Sequence, residues 1–532
     1  MCHSGARVTE RSSLLPSLAD APLSPPLRQS PACRCHARDS VVLTVGVDKD
    51  DSERCSQCST TSTSSSVSEE EPVVGSQQWA LDELWALFEL AYPVAITTVL
   101  EFLPGTTSTI LAGHLDSPLT KEYVDATTLA TMFSNVSAYS IGFGLSSALD
   151  TLASQAYGAQ RFDKIGVYFQ SGLLVLGVAL VPILVANYYT ATFLGWLGQD
   201  AAISALAQQF ARVNLVGIPC ICLYDLARRV LQAQGILRPM LVLAVLSNAL
   251  QVASGYVLAY RFGFGFMGVA VARTLGNVSL PLMLWLYFRW APARLSQWWF
   301  GWDWRGAVAH VALFLRLGVP GMLMLIMEWW AYEVVAVMAG LLPNAVLAVS
   351  AHAVIMNVAY LFYMAFVGVS VAANVRIGQH LGANEPEKAR AAGVLAMKMV
   401  LALSVVVSVV VFLGRDVLPT LFLDDADAIA RAASALAVWA PFELAEALNC
   451  LMQGVAKGAA QQTKAALING LSFYAVGVPL AYALAFHSGW GVEGLWVGLG
   501  LGVTTSFAAL VSVYFRWNWP QLARDAQSRT RQ

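Results

Sequence analysis

Charge is what this chain has least of. Only 12% of its 532 residues are Asp, Glu, Lys or Arg, while 57% are hydrophobic; the charged share is about half that of an ordinary soluble domain. The shortage excludes a soluble globular protein of this size. A net charge of -2 leaves no basic surface for nucleic acid. Histidine is sparse as well, seven in all, and His310 and His352 stand alone in apolar surroundings, so they read as packed side chains. No Ser/His/Asp set, phosphate loop or metal-spaced cluster emerges, which argues against an enzyme and against a cofactor. Cysteine adds little. Cys220, Cys222 and Cys450 fall in apolar runs as small core residues, and the other five, Cys2, Cys33, Cys35, Cys55 and Cys58, lie near the N-terminus. There CRCH and CSQC fit no common zinc spacing, so no metal is expected.

What the chain does have is long apolar runs. Residues 1–78 stand apart: they are rich in Ser, Thr and Pro, lack the apolar stretch of a signal peptide, and are expected to form a disordered cytoplasmic tail. Beyond them, stretches near 84–112, 123–150, 165–187, 204–225, 238–260, 266–290, 308–340, 346–375, 392–412, 427–453, 463–486 and 492–515 are each long enough to cross a bilayer, which takes about 20 residues. The expected fold is therefore an all-α polytopic membrane protein of twelve transmembrane helices. Eighteen Lys and Arg lie in or beside the even loops and the C-terminal tail, against Lys121, Arg261 and Arg415 in the odd loops. That bias puts both termini in the cytoplasm. WWFGWDW (298–304) suits an aromatic anchor at headgroup level, and QQWALDELW (77–85) an interfacial helix leading into span 1.

The chain also repeats itself. YFRW at 287–290 returns at 514–517, an offset of 227, and LAYP ending at Pro93 answers LGVP ending at Pro320 at the same offset. Gly265 and Gly268 answer Gly491 and Gly494 at 226. GLSSALDTLASQAYGAQRFDK (144–164) lies over GVSVAANVRIGQHLGANEPEK (368–388) with seven of 21 pairs identical, Gln155/Gln379 and Gly158/Gly382 among them. Spans 1–6 and 7–12 are thus two copies of one unit. An even number of spans per copy makes both enter from the same side, so the two six-helix lobes are related by a pseudo-two-fold along the membrane normal. The expected organisation is an N-terminal lobe at 79–290, a cytoplasmic interfacial linker at 291–307, a C-terminal lobe at 308–517 and a cytoplasmic tail at 518–532. Two facing bundles suit alternating access, with a substrate site near the midplane.

An acid inside the bilayer costs about 2.5–3.5 kcal/mol on insertion scales, which makes each one a functional candidate. Glu101 in span 1, Glu328 and Glu333 in span 7, and Glu443 and Glu446 in span 10 are well inside. Glu89, Asp150, Asp225 and Glu493 lie nearer span ends, where solvent or a neighbouring Arg serves them. At about 100° per residue, Glu328 and Glu333 point about 140° apart, Tyr332 falls within about 40° of Glu328, and Glu443 and Glu446 are about 60° apart. Glu328 and Glu446 are therefore expected to approach each other across a cavity in the second half, with Glu333 in a different environment. A partly desolvated carboxyl takes up either a proton or an organic cation. Trp329, Trp330 and Tyr332 add cation–π attraction of about 0.5–2 kcal/mol each where desolvated, although Trp330 points nearly opposite Glu328 and reads equally as lipid-facing. Competition of proton and cation for one site suffices to make an antiporter.

From about residue 84 to 520 the chain resembles the MATE (multidrug and toxic compound extrusion) family in its eukaryotic branch. LAGHLD (111–116), SIGFGLSSALDTLASQAYGAQ (140–160), MEWWAYE (327–333), SVAANVRIGQHLGA (370–383) and FELAEALNC (442–450) carry the likeness in order. The resemblance implies about twelve helices in two lobes, cation/proton exchange, and substrates that are mostly organic cations or xenobiotics. The family's span 7 glutamates fall on Glu328 and Glu333, and its span 10 glutamate on Glu446. Animal relatives carry a further glutamate where this sequence has Asn357, and many bacterial relatives carry an acid where it has Ser108. Coupling is thus expected to rest on the second half, with Glu101 as a substitute in the first. The expected protein is a monomeric, secondary active antiporter exporting organic cations or xenobiotics in exchange for protons, in a plasma or vacuolar membrane. Sodium coupling is one alternative. A flippase of amphiphilic substrates is another, and it would need a basic cavity lining that the spans lack apart from four basic residues near their ends, Arg212, Arg273, Lys398 and Arg431. A non-transporting receptor or scaffold fits the repeat and the buried acids less well.

Overall fold

The computed structural model describes residues 76–423 and 425–531; the expected tail up to residue 75, with its five cysteines, lies outside them. Among the described residues all regular structure is helical. Ten helices among these residues are long and apolar enough to cross a membrane, and the bent pair Ala201–Asn214 and Gly217–Ala233, meeting at 53°, counts as an eleventh when taken as one span. The remaining crossing, residues 120–158, is built of helical pieces that abut at Ser147 and pass through a wide π turn at Asn135–Tyr139. In chain order the segments are α1 (Gln77–Gly113), α2 (120–158), α3 (Phe162–Tyr188), α4 (the bent pair), α5 (Arg238–Arg261) and α6 (Gly265–Trp290). The second lobe comprises α7 (Trp304–Gly340), α8 (Ala345–Gly382), α9 (Pro386–Gly414), α10 (Ala426–Gly458), α11 (Gln462–His487) and α12 (Gly491–Phe515), followed by α13 (Trp519–Arg531).

The repeat extends to the way helices start and stop. Ser76 and Asp303, 227 residues apart, cap α1 and α7, accepting from Trp79 N at 3.2 Å and Gly306 N at 2.9 Å. Asp200 and Asp425, 225 apart, cap α4 and α10, accepting from Ala202 N at 2.8 Å and Ala428 N at 2.9 Å. Each side chain satisfies an N–H that the helix itself leaves without a partner. Left-handed residues close the matching helices: Gln160 and Asn384 after α2 and α8, Gly235 and Ala460 after α4 and α10. Ala460 holds this conformation at a cost of about 1–2 kcal/mol, so the architecture of the duplicated unit overrides local preference there.

Each lobe has its own core, with Leu149, Tyr168 and Leu226 in the first and Phe366, Leu451 and Phe473 in the second. Side chains such as Val178, Val181, Val406 and Leu413 remain exposed on the outside, as a lipid-facing surface requires. Between the lobes, α1 packs on α8 while α7 packs on α2; the two contacts exchange under the repeat.

Two expected interfacial elements differ in the structure. QQWALDELW is the first part of α1 rather than a separate helix, with Trp79 buried and Trp85 exposed. In WWFGWDW, Trp302 and Trp304 are exposed and stack at 5.2 Å, but Trp298 enters the core of the first lobe against Phe169 at 5.6 Å and Phe288 at 6.2 Å. Its large apolar ring gains more by filling that space than by lying at an interface. The C-terminal residues form α13, which buries Trp519, Leu522 and Ala526.

Where α2, α4, α8 and α10 end, the lobes are sealed by a matched pair of contacts. Gln155 Nε2 donates to the Gly458 carbonyl at 2.9 Å, and Gln379 Nε2 to the Ala233 carbonyl at 3.0 Å. Gly158 lies against the backbone of Gln379, and Gly382 against that of Gln155, with no room for a Cβ at either. These residues are identical in the two halves because they meet across the pseudo-axis, where each occupies the other's environment. Arg529 of α13 donates to Gln155 Oε1 at 3.0 Å. Arg376 donates to Gln379 Oε1 at 3.2 Å while pairing with Glu83 of α1 at 2.5 Å.

Candidate functional site

MEWWAYE lies on α7, and helical spacing sorts its side chains. Glu328 and Tyr332, one turn apart, face inward, while Trp330 and Glu333 are exposed. The inward pair lines a half-open pocket between α7, α8 and α10, whose empty space of about 350 Å³ includes open solvent. Its acids are Glu328 and Glu446, and its aromatic walls are Trp329, Tyr332, Tyr360 and Tyr363. Tyr332 and Glu446 also line a second, smaller half-open pocket with Trp439, Phe442 and Trp496.

Hydrogen bonds fix both acids. The Tyr332 hydroxyl donates to Glu446 Oε1 at 2.8 Å. Gln453 Nε2 donates to Glu328 Oε2 at 3.0 Å, and the Tyr363 hydroxyl to Glu328 Oε1 at 3.4 Å. All these donors are neutral. Glu443 is buried behind Glu446, its carboxyl beside that of its neighbour, and among the described residues neither of its oxygens has a hydrogen-bond donor.

The structure thus brings Glu328, Trp329, Tyr332 and Glu446 to one cavity. Glu333 does not line it, nor does Glu443. Asn357 is exposed and donates back to the Ala353 carbonyl of its own helix at 2.8 Å. Glu101 sits in the other lobe, ion-paired with Arg228 at 2.6 Å. Arg228 also meets Asp225 at 2.5 Å, Arg229 joins Asp225 at 2.9 Å to Asp150 at 2.6 Å, and Lys457 of the second lobe lies 3.7 Å from Asp150. Glu101 is therefore one end of a compensated network rather than an isolated acid. Sequence reasoning passed over Tyr360, Tyr363 and Gln453. The first two stand three apart on α8, and Gln453 lies two turns beyond Glu446 on α10, so each has helical spacing for a shared face.

Outside the spans, Glu385 follows α8 at the sealed end. The hydrogen bond from His380, at 3.1 Å, together with Lys388 at 3.0 Å, holds its carboxyl below the usual glutamate range. Burial pulls the Arg529 guanidinium of α13 downward from its ordinary value.

The MatE family model matches the chain twice, at residues 93–257 and 320–483, one copy per lobe. Multidrug and toxin extrusion protein 1 of Mus musculus is 35% identical over 449 residues, covering 84% of this chain and 77% of that protein. Protein DETOXIFICATION 16 of Arabidopsis thaliana is 32% identical over 459 residues, covering 86% and 93%. The crystal structure of the eukaryotic MATE transporter AtDTX14 matches with a TM-score of 0.80 at 27% identity, covering 85% of this chain and 100% of that one. With the fold, the repeat and these likenesses in agreement, the chain belongs to the MatE family and is a multi-pass membrane transporter, not an enzyme.

Proposed function

We propose that the protein exports organic cations in exchange for protons by alternating access, with the exchange taking place at Glu328 and Glu446. The observation that carries this reading is a cavity holding two buried carboxyls with neutral donors and no Lys or Arg in its lining. A carboxylate without a positive partner in a desolvated site takes up whatever cation reaches it. A proton and an organic cation exclude one another there, and that exclusion couples their movements. The aromatic walls suit a soft organic cation, whereas a sodium ion calls for a cage of oxygen ligands that this largely apolar lining offers less well. The names of the relatives, multidrug and toxin extrusion protein and DETOXIFICATION, agree with substrates of this class. Glu443, beside Glu446 without another donor, is best satisfied by a proton shared within the pair.

We take the sealed end as the cytoplasmic one, in line with the Lys and Arg of the even loops. Substrate then loads when the Gln155 and Gln379 contacts part, and it leaves in the conformation described above. In proteoliposomes with an imposed pH gradient, Glu328→Gln and Glu446→Gln should each abolish flux of a cationic dye, and a sodium gradient alone should drive none. Wild-type, pH-dependent flux in both variants would overturn the site.

A further inference from the structure

The two lobes place the same acid in opposite company. Glu101 of α1 and Glu328 of α7 stand 227 residues apart, at equivalent positions of the repeat. Each accepts a hydrogen bond from the equivalent helix of its own lobe: Glu101 Oε2 from Arg228 of α4 at 2.6 Å, Glu328 Oε2 from Gln453 of α10 at 3.0 Å. Arg228 and Gln453 are 225 residues apart, the offset that also separates Ala233 from Gly458, the paired carbonyls of the sealed end. The donors are therefore equivalent too.

The rest of the first lobe's network is stripped in the same way. Asp225 and Arg229 fall on Cys450 and Gly454 at the 225 offset, and Asp150 falls on Asn374 at 224. One scaffold is ion-paired throughout in the first lobe. In the second, only Glu328 remains acidic among the equivalent positions, and its donor is neutral.

We propose that Gln453 is the specificity-determining residue of the transport site: it meets Glu328 with an amide where the first lobe has a guanidinium, which leaves the carboxyl open to a proton or a monovalent organic cation. Arg228 silences the equivalent position in the first lobe. This rests on the reading of Glu328 and Glu446 as the exchange site. The physical contrast is sharp. A guanidinium stays charged and acts as a built-in counter-ion, so an arriving cation must compete with it. An amide N–H satisfies one lone pair and cancels no charge. Gln453 is buried, so bulk ions do not take its place. The other polar groups at Glu328 are Tyr332 on its own helix, Tyr363 on α8 and Glu446 on α10, and none supplies positive charge. Lys457, one turn beyond Gln453, is ion-paired with Asp150 of the first lobe at 3.7 Å and acts on Glu328 only through space, without a salt bridge to it.

The test compares Gln453→Arg, Gln453→Leu and Glu328→Gln in purified, monodisperse protein titrated with tetraphenylphosphonium. Gln453→Arg should weaken binding about thirtyfold or more and lower the number of protons released on binding, because its charge occupies Glu328. Gln453→Leu, of similar bulk and without charge, should weaken binding by less than about tenfold and keep proton release. Equal losses in the two variants would overturn the proposal, since a packing role does not depend on charge. Should the arginine variant not fold, Gln453→Lys brings the same charge on a slimmer side chain and decides the matter. Glu328→Gln separates the two levels of the argument. Full binding and proton release in that variant would remove the exchange site itself, whereas their loss there alongside unimpaired Gln453→Arg would remove only the role of Gln453.

Discussion

Gly158→Ala tests the sealed end where the structure leaves least room. An added Cβ would lie 2.6 Å from the Gln379 carbonyl carbon and 2.7 Å from its Cα, most of an ångström inside ordinary contact. The obstacle is the backbone of α8, which has no rotamer to change. The only relief is for α2 and α8, and with them the two lobes, to move apart at this end. Overpacking of this kind costs about 1–3 kcal/mol. In the proposed alternating-access cycle the two helices part when this end opens, so the cost falls on the sealed conformation alone. The ratio of sealed to open molecules should therefore drop by about fivefold to more than a hundredfold. Gly382→Ala, whose Cβ would lie 2.9 Å from both Ala159 N and the Gln155 carbonyl carbon, should act in the same direction from the other lobe. Spin labels at Asp163 and Glu387, exposed positions of opposite lobes, report the separation by pulsed electron spin resonance. The variant should transfer population to the longer distance. A distance distribution identical to wild type, in protein that is folded and monodisperse, would refute the assignment of this contact as the seal.

Two further predictions separate structural charge from coupling charge. Glu101→Gln removes one partner of the buried Arg228, so it should lower the melting temperature, by an amount corresponding to about 3 kcal/mol for a broken buried pair, while the folded fraction keeps proton-driven flux; lost coupling at an unchanged melting temperature would contradict this. Glu385 titrates below its ordinary range in the folded protein, so its contribution to stability is present at neutral pH and disappears as the pH falls through that depressed value. Glu385→Gln should flatten the acid limb of melting temperature against pH, and an unaltered limb would contradict the His380 and Lys388 contacts.

Much of the fold is legible in the sequence because a membrane imposes it: apolar length marks the crossings, and the duplicated glycines, prolines and glutamines mark the two lobes. The breaks within α2 are not legible from hydropathy, whereas the bend of α4 falls at Gly217 and Pro219, residues that interrupt a helix locally. At the site, angular spacing correctly puts Glu328 and Tyr332 on one face of α7. It does not say which carboxyl Tyr332 serves, because a helical wheel gives a direction and not the position of the neighbouring helix, and the hydroxyl goes to Glu446. Glu101 reads as an isolated acid in a list of residues. Its partner lies 127 residues away on α4, a separation that only the fold closes. Gln453, being neutral and unremarkable in sequence, gains its meaning only from the comparison with Arg228.

The central claim, that a proton and an organic cation compete for Glu328 and Glu446, is tested most directly by measuring proton release during cation binding. Purified protein in weakly buffered solution with a pH-sensitive dye is titrated with tetraphenylphosphonium at a series of pH values. The account predicts that protons leave as the cation binds, that cation affinity rises with pH until the site is deprotonated, and that release falls in Glu328→Gln and Glu446→Gln. Cation binding that releases no protons, with an affinity independent of pH, would contradict it.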